Sequence, residues 1–97
     1  MKVANRGLLL RLIAEHPDSA AAVKTWLAIV EQAEWRNPHD VVGTFNRADL
    51  VHGGNRWVFD LRHNRYRLDA KLDYAGQTCL IKRVGTHREY DTWKFDE

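Results

Sequence analysis

The sequence predicts an α+β domain in which a short N-terminal strand and a helical hairpin pack on an antiparallel β-meander. Two patterns lead to this fold class. Apolar residues recur at helical spacing in the first third of the chain, whereas apolar and polar residues alternate strictly from Arg65 to Tyr74. The chain of 97 residues has room for one domain, so we expect residues 1–97 to form a single unit.

The N-terminal third is predicted to hold a strand followed by two helices. Lys2 to Ala4 is the candidate strand, Asn5 is the candidate N-cap of the first helix, and His16-Pro17 ends that helix. Asp18 or Ser19 is expected to cap the second helix. Each helix carries one apolar stripe that should cover the sheet, formed by Leu8, Leu9, Leu12 and Ile13 in the first and by Val23, Trp26, Leu27 and Val30 in the second.

A connector from Arg36 to Gly54 separates the helices from the strands. Asn37-Pro38 marks a turn, and Asp40 to Phe45 is expected to form one short helical turn. Because the connector is longer than most loops, we expect it to pack against the core through Val41, Phe45 and Leu50.

Three strands are predicted in the C-terminal half: Trp57 to Leu61, Arg65 to Tyr74 and Thr78 to Val84. One face of the middle strand is expected to meet the core, and it carries Tyr66, Leu68, Ala70, Leu72 and Tyr74. The opposite face is expected to be solvated, and it carries Arg65, Arg67, Asp69, Lys71 and Asp73.

Composition excludes several classes of protein. Hydrophobic residues make up 44% of the chain and charged residues 29%, which is too apolar for a disordered chain. No run approaches the ~18 apolar residues of a membrane span, and Met1 to Asn5 lacks the features of a signal peptide. We therefore expect a cytoplasmic protein without a membrane partner. Cys79 is expected to be a small buried residue without a chemical role.

Charge is distributed unevenly along the chain. Arg56 to Arg88 holds eight Lys or Arg and three Asp, whereas the tail from Glu89 to Glu97 holds four acidic residues and Lys94. The basic segment suits an anionic partner such as RNA, although a solvated protein face has a similar charge. The five His residues lack the spacing of metal ligands, so no metal and no cofactor is expected.

The densest cluster of reactive side chains runs from Lys82 to Asp91, at the end of the last predicted strand. Gly85 is expected to turn the chain so that His87 and Tyr90 lie over the sheet. Pairing of the meander would bring these two residues close to cations of two neighbouring strands, namely Arg65, Arg67, Lys82 and Arg83. The predicted site therefore combines an imidazole, a phenol and several cations.

These side chains are sufficient for metal-independent cleavage of RNA. The reaction needs a base for the ribose 2′-hydroxyl, an acid for the departing 5′ oxygen and positive charge at the phosphate. Arginine binds phosphate through its planar fork, and histidine transfers protons near neutral pH. Structural interpretations stay open: Thr86-His87 could cap a last helical turn, Tyr90 could be a core aromatic, and the alternating charges could be cross-strand pairs.

Four segments resemble the HigB family of toxins, which belongs to the RelE-like superfamily. They are Asn37 to Val41, Val58 to Leu61, His63 to Leu68 and Thr86 to Asp91. The last segment, with the pattern T-H-x-E-Y-D, is the most specific. The resemblance extends from the Ala-rich helix with Trp26 to Asp91, and His63 stands where relatives often have Gly.

The resemblance implies a small ribonuclease-toxin fold of the RelE type and the toxin of a type II toxin-antitoxin pair. Members of the family cut mRNA, generally on the translating 70S ribosome. A HigA-like antitoxin with a helix-turn-helix domain neutralises them, and operator DNA is bound only through that antitoxin. With the basic segment, the resemblance gives the predicted catalytic residues His87, Tyr90, Arg67 and Arg83. The predicted residues for binding RNA phosphates are Arg65, Lys71, Lys82 and Arg88.

Within the catalytic set, His87 is the expected proton-transfer group and Tyr90 supports it. Two other functions stay open at this point. The protein could bind RNA or the ribosome and block translation without cutting, in which case no new transcript 5′ ends would appear. It could also be a structural partner in a toxin-antitoxin complex that has no effect on growth.

Overall fold

The structure is a computed structural model that describes residues 1–95. Asp96 and Glu97, which end the acidic tail, lie outside the described residues. The strands are β1 Lys2–Ala4, β2 Asp49–His52, β3 Arg56–Leu61, β4 Tyr66–Asp73 and β5 Thr78–Thr86. The helices are α1 Gly7–Glu15, α2 Ala20–Gln32, α3 Pro38–Thr44 and α4 His87–Tyr90, with a 3₁₀ turn at Pro17–Ser19.

The strands form one sheet with the order β1-β5-β4-β3-β2. β1 pairs in parallel with β5, and the other neighbouring strands are antiparallel. The predicted α+β class and the meander of β3, β4 and β5 are confirmed. The sheet is larger than the predicted meander and mixed in direction, because β1 and β2 extend it at its two edges.

Helices α1 and α2 form the predicted hairpin and cover one face of the sheet. Their buried residues are Leu9 and Leu12 in α1 and Val23, Trp26 and Val30 in α2. Trp26 meets Phe59 of β3 edge to face, with 5.6 Å between ring centroids. Each large apolar side chain buried in this way contributes about 1.5–3 kcal/mol to stability. None of the helices within residues 1–95 has the length and apolar character that crossing a membrane requires.

The starts of α1 and α2 differ from the predicted caps. Asn5 is not an N-cap: it has a φ of 72°, and its side-chain amide donates to the Ile81 carbonyl at 2.9 Å. Asparagine adopts this left-handed backbone more readily than most residues, and Arg6 takes the N-cap position of α1 instead. Ser19 stands at the N-cap of α2, but its hydroxyl makes no capping bond. Asp18 accepts a hydrogen bond from Tyr66 and does not cap a helix.

The connector contains more regular structure than predicted. Asn37 caps α3, since its side chain accepts from the Asp40 amide at 3.0 Å. Val41 is fully buried and Phe45 packs against the core, as expected. Leu50 is 45% exposed, so its predicted packing is wrong. It lies in β2, a short edge strand whose mostly exposed side chains show no alternation that would predict a strand.

The outer face of the sheet, which points away from α1 and α2, is largely covered. Arg56 is 3% exposed, Arg67 9% and Asp69 0%, so the predicted solvation of this face is wrong for its middle part. Lys71 is exposed, as predicted. The cover is the C-terminal segment, residues 87–95, which folds back over the sheet and contributes the rings of Tyr90, Trp93 and Phe95.

Strand β5 contains one residue more than the part of β4 with which it pairs. Asp69 lies opposite Arg83, and Ala70 lies opposite Ile81, so Lys82 is the extra residue of a β-bulge. Ile81 before the bulge is fully buried in the core, whereas Arg83 after it lies on the outer face. The bulge therefore changes which side chains of β5 reach the outer face.

Candidate active site

A helix of four residues carries His87 and Tyr90. Its N-cap is Thr86, whose hydroxyl accepts from the Glu89 amide at 3.2 Å, while the Glu89 carboxylate accepts from the Thr86 amide at 3.1 Å. This capping box starts α4 at His87 and confirms that Thr86-His87 begins a last helical turn. The chain turns at this point, so the turn predicted at Gly85 is wrong.

Gly85 lies inside β5 and permits a close approach of chain segments. A β-carbon at this position would lie 3.2 Å from both the Glu89 β-carbon and the Trp93 ring. Such contacts are tighter than side chains normally tolerate. The absence of a side chain at Gly85 therefore lets the C-terminal segment lie directly on the sheet.

His87 is placed beside Arg67 of β4. The Arg67 Nη2 atom lies 3.3 Å from His87 Nδ1, and the His87 amide donates to the Arg65 carbonyl at 3.1 Å. A guanidinium can only donate, so Nδ1 accepts this hydrogen bond and the neutral ring carries its proton on Nε2. His87 itself is an exposed residue.

Arg67 is held rigidly between two strands and α4. Its Nη1 forms an ion pair with Asp60, the residue directly opposite on β3. Its guanidinium carbon lies 4.9 Å from the centre of the Tyr90 ring, a cation–π contact. The buried Nε has no hydrogen-bond partner within residues 1–95. Arg67 is therefore held in a fixed orientation beside the imidazole.

Tyr90 combines a packing role with a place at the site. Its ring stacks on His87 at 6.3 Å and meets the Trp93 ring edge to face at 5.6 Å. The side chain is half-buried. Tyr90 therefore packs against another aromatic ring, as a core residue would, and also contacts His87 at the site.

An open cleft borders the same histidine. It lies at the hairpin between β3 and β4, and its lining residues are His16, Arg62, His63, Asn64, Arg65, Tyr66, Thr86 and His87. Arg65 belongs to this cleft, because its guanidinium turns to Asp18 and not to the outer face. His87 therefore lies between this cleft, which Arg65 lines, and the contact with Arg67 and Tyr90.

The arrangement provides the groups that a phosphoryl transfer requires. Arg67 offers a rigid guanidinium for the negative charge of a phosphate. His87, at 3.3 Å, offers an imidazole that can accept or donate a proton. Within residues 1–95, no three His, Cys, Asp or Glu side chains are grouped so that they could hold a metal ion.

The sequence matches a family model over residues 19–93, which includes α2, β2 to β5 and α4. The family is that of the HigB toxin, the RelE-like toxic component of a toxin-antitoxin system. The chain belongs to this family. It is also similar to the mRNA interferase HigB of Escherichia coli O6:H1, with 23% identity over 78 residues, 79% of this chain and 76% of the relative.

As a HigB-family toxin, the chain has an antitoxin as its partner class. The matched region contains each of the predicted site residues, and it contains the Arg67–His87 contact. The α+β architecture, with a helical hairpin on a meander, is consistent with the RelE-like fold. Family membership therefore agrees with the fold.

Arg83 does not join His87 in this HigB-family structure. It lies opposite Asp69, two residue pairs along the sheet from Arg67, and donates to the Asp69 carboxylate at 2.8 Å. Its guanidinium carbon lies 4.9 Å from the Trp93 ring centre. Arg83 therefore contacts the C-terminal segment and not the groups around the imidazole.

The other predicted cations occupy separate positions. Lys71 lies near the far end of β4, opposite Leu80, in a region that also contains Asn55 and Tyr74. Lys82 is the bulge residue of β5, and Arg88 is exposed on α4 next to His87. Of these three cations, only Arg88 belongs to the element that carries the imidazole.

Two residues of the site were not predicted from the sequence. Asp60 fixes Arg67, and Asp18 gathers Arg62 and Arg65 at the cleft. One pattern could have indicated Asp60. It lies directly opposite Arg67 of the neighbouring strand, and opposite charges often pair across strands. No pattern indicated that Asp18 would bind two arginines, because an acidic residue just before a helix is equally suited to cap that helix.

Proposed function

We propose that this HigB-family chain is an mRNA endoribonuclease that inhibits translation and growth, and that it acts without a metal and on the translating ribosome. The proposal is supported by membership in a family of toxic components and by similarity to a protein named mRNA interferase. The observation that carries it for this chain is the 3.3 Å approach of Arg67 Nη2 to His87 Nδ1.

The proposed reaction begins when Arg67 binds the scissile phosphate. The phosphate oxygens compete with Nδ1 for the Arg67 donors, so the imidazole lone pair becomes available. His87 then takes the proton of the ribose 2′-hydroxyl, and the 2′ oxygen forms a bond to phosphorus. The bond from phosphorus to the 5′ oxygen breaks, and that oxygen receives the proton from the imidazolium.

The products are a 2′,3′-cyclic phosphate and a 5′-hydroxyl end. No water is consumed and no group is oxidised or reduced, so the step needs no further reactant. Tyr90 supports the reaction by stacking on His87. Arg83, predicted as catalytic, is proposed instead to position these groups through its hold on the C-terminal segment. Arg65, Lys71, Lys82 and Arg88 are proposed to bind the RNA backbone.

The proposed partners follow from the same assignment. Residues 1–97 act as one toxin domain in the cytoplasm, on mRNA bound to the 70S ribosome. The proposed antitoxin is a HigA-like protein with a helix-turn-helix domain, and operator DNA is bound only through it. The basic segment from Arg56 to Arg88 supports an RNA partner, because its excess positive charge attracts phosphates.

Mapping of transcript 5′ ends tests the proposal. Wild type, His87→Ala and the control His39→Ala would be induced briefly, since His39 is an exposed histidine of α3 far from the cleft in sequence. New 5′ ends are expected with wild type and His39→Ala and not with His87→Ala. A folded His87→Ala protein that still produces them excludes its catalytic role. Growth arrest by wild type without new ends favours translation block by binding alone.

A further inference from the structure

A cluster of charged side chains borders the cleft that His87 also lines. We call it the Asp18 cluster; it consists of Asp18, Arg62, Arg65 and Tyr66. Arg62 Nη1 and Arg65 Nη1 both contact Asp18 Oδ2, the latter at 3.0 Å, and the Tyr66 hydroxyl donates to Oδ1 at 2.5 Å. The cluster joins the start of α2 to the β3–β4 hairpin.

The two arginines of this cluster keep most of their donors. Each contacts Asp18 through one nitrogen, and within residues 1–95 their Nε and Nη2 atoms have no hydrogen-bond partner. Their side chains are 42% and 61% exposed. A guanidinium has five N–H donors, so each can bind a second anion while it remains on Asp18.

The Asp18 cluster has an excess of positive charge. The Tyr66 hydrogen bond is the main cause that lowers the Asp18 pKa from 3.8 to about 2, so the carboxylate is ionised at neutral pH. One negative charge then faces two guanidinium groups. The three donors already bound to its oxygens orient the arginines and leave the outer side of the cluster cationic.

The hairpin that carries Arg62 has an unusual backbone. Arg62, His63 and Asn64 have φ values of 53°, 54° and 69°, so three successive residues other than glycine are left-handed. Only Asn64 is a residue type that adopts this region readily. This turn brings Arg62 to the same carboxylate as Arg65, and both then border the cleft that His87 lines.

We propose that Arg62 and Arg65 bind a second phosphate of single-stranded RNA, next along the strand from the phosphate at Arg67. This subsite rests on the proposed function, because it assigns an RNA path across His87. The imidazole would lie between two phosphate-binding groups, Arg67 on the outer face and the Asp18 cluster in the cleft. Two fixed phosphates orient the ribose between them against the imidazole.

If the subsite exists, replacing Arg65 and replacing its ion-pair partner Asp18 should change RNA affinity in opposite directions. Replacing Arg65 removes a donor to the phosphate and weakens RNA binding. Replacing Asp18 by Asn removes the negative charge close to that phosphate while it retains the shape of the side chain, so RNA binding becomes tighter. A purely structural ion pair would not produce this difference in sign, because breaking it from either side has the same result.

The experiment measures binding of a fluorescent 2′-O-methyl RNA of about ten nucleotides by anisotropy at several salt concentrations. The RNA cannot be cleaved, because its 2′ oxygens are blocked. The full-length variants are Arg62→Gln, Arg65→Gln and Asp18→Asn. Arg11→Gln is the matched control, since Arg11 is exposed on α1 and also pairs with a carboxylate, that of Glu15.

We expect Arg65→Gln and Arg62→Gln each to weaken binding about tenfold. The slope of log affinity against log salt should fall by about 0.7, the value for one phosphate contact of a single strand. Asp18→Asn should bind more tightly than wild type, and Arg11→Gln should bind equally well. Circular dichroism verifies the fold of each variant. If Arg62→Gln does not fold, the test relies on Arg65→Gln, because Arg65 is the more exposed of the two arginines.

Unchanged affinity and slope in a folded Arg65→Gln protein would overturn the subsite. Weaker binding by Asp18→Asn would overturn it as well, since the cluster would then act only as a structural link. The assay does not depend on cleavage. If wild type cuts no transcript but the variants shift binding as expected, the proposed nuclease function fails and the subsite stands.

Discussion

Arg83 Nε donates to Asp69 Oδ2 at 2.8 Å, which links β5 to β4 directly beneath the C-terminal segment. The same guanidinium donates to the Lys94 carbonyl at 3.1 Å and lies 4.9 Å from the Trp93 ring centre. A helix of four residues is not stable alone, so α4 depends on such contacts for its position. Arg83 therefore acts on His87 at a distance, by holding the chain that follows it.

Arg83→Met should lower cleavage more than it lowers RNA binding. Loss of the guanidinium releases the C-terminal segment, and a displacement of about 1 Å at a reacting group can cost about 100-fold in rate. Single-turnover cleavage should fall by about 10- to 100-fold, while affinity for 2′-O-methyl RNA stays within about twofold. Arg83→Lys should recover part of the rate. A lower affinity with a smaller salt slope would instead identify Arg83 as a phosphate ligand.

Asp69→Asn should destabilise the fold strongly. The fully buried carboxylate accepts from Arg56 at 2.6 and 2.8 Å and from Arg83 at 2.8 Å. Its loss leaves buried guanidinium charge uncompensated, which costs about 3–5 kcal/mol. Urea unfolding would measure the effect, with Asp49→Asn on the exposed edge strand as the control. A change of less than ~1 kcal/mol would show that the arginines find other partners.

Arg67→Lys should impair the site while it keeps the charge. A lysine cannot contact Asp60 and His87 as a planar fork does, so the hydrogen bond to Nδ1 is lost. Removal of one such donor at a developing charge lowers rates by about 10²–10³-fold. Nitrogen-15 NMR should show the proton of neutral His87 on Nε2 in wild type and a mixture of tautomers in Arg67→Lys. A wild-type ring with its proton on Nδ1 would contradict the observed contact.

The hydrogen bond from Tyr66 to Asp18 should make stability depend on pH at both extremes. The Asp18 pKa is lowered from 3.8 to about 2, chiefly by Tyr66, so its contribution is complete above 3.8 and disappears as the pH falls through about 2. The Tyr66 pKa is raised from 10.0, chiefly by Asp18, so that contribution is complete below 10.0 and is lost at higher pH.

Thermal unfolding of wild type and Tyr66→Phe across the pH range would check this dependence. The difference in melting temperature should be constant between about pH 4 and pH 10 and should shrink outside that window. Tyr74→Phe is a suitable control, because its hydroxyl bonds to Trp57 and the Gly54 carbonyl and not to a carboxylate. A difference that persists unchanged at pH 2 would exclude the proposed coupling.

Cys79 should be unreactive in the native protein. Burial in the core raises its thiol pKa to about 12, so almost no thiolate forms at neutral pH. Alkylation by iodoacetamide should therefore be slow and should accelerate in urea as the core opens. Rapid native labelling would mean that β5 separates from β1 without global unfolding, because Cys79 lies opposite Val3 in that pair.

Strand β4 illustrates how far the sequence predicts this fold. Alternation alone assigned each of its side chains to the correct face, because a strand's period of two is a local property. The burial of Arg67 and Asp69 was not predictable from the strand, because it depends on a segment distant in sequence. The Tyr90 ring lies over Arg67, while Trp93 and Phe95 contact the arginines that bind Asp69. Only tertiary packing decides whether an outward-facing residue is solvated.

The candidate site was predictable to a similar degree. The segment around His87 stood out through its dense functional groups, and the cap at Thr86 follows from a local rule. Asp18 was interpreted as a helix cap, because a carboxylate before a helix meets that rule equally well. Its actual partners, Arg62 and Arg65, lie on a hairpin whose left-handed backbone no pattern of residue types predicted.

The bulge at Lys82 reverses the alternation of side chains between the two faces of β5. If β5 had no bulge and all its residues alternated regularly, the side chain of Arg83 would follow that of Ile81 into the apolar layer, and Val84 would point outward. With the bulge, the same strand places Cys79 and Ile81 in the core and the guanidinium of Arg83 on the opposite face. At this point of the chain, the number of residues determines the chemistry of the surface more than the identity of residue 82 does.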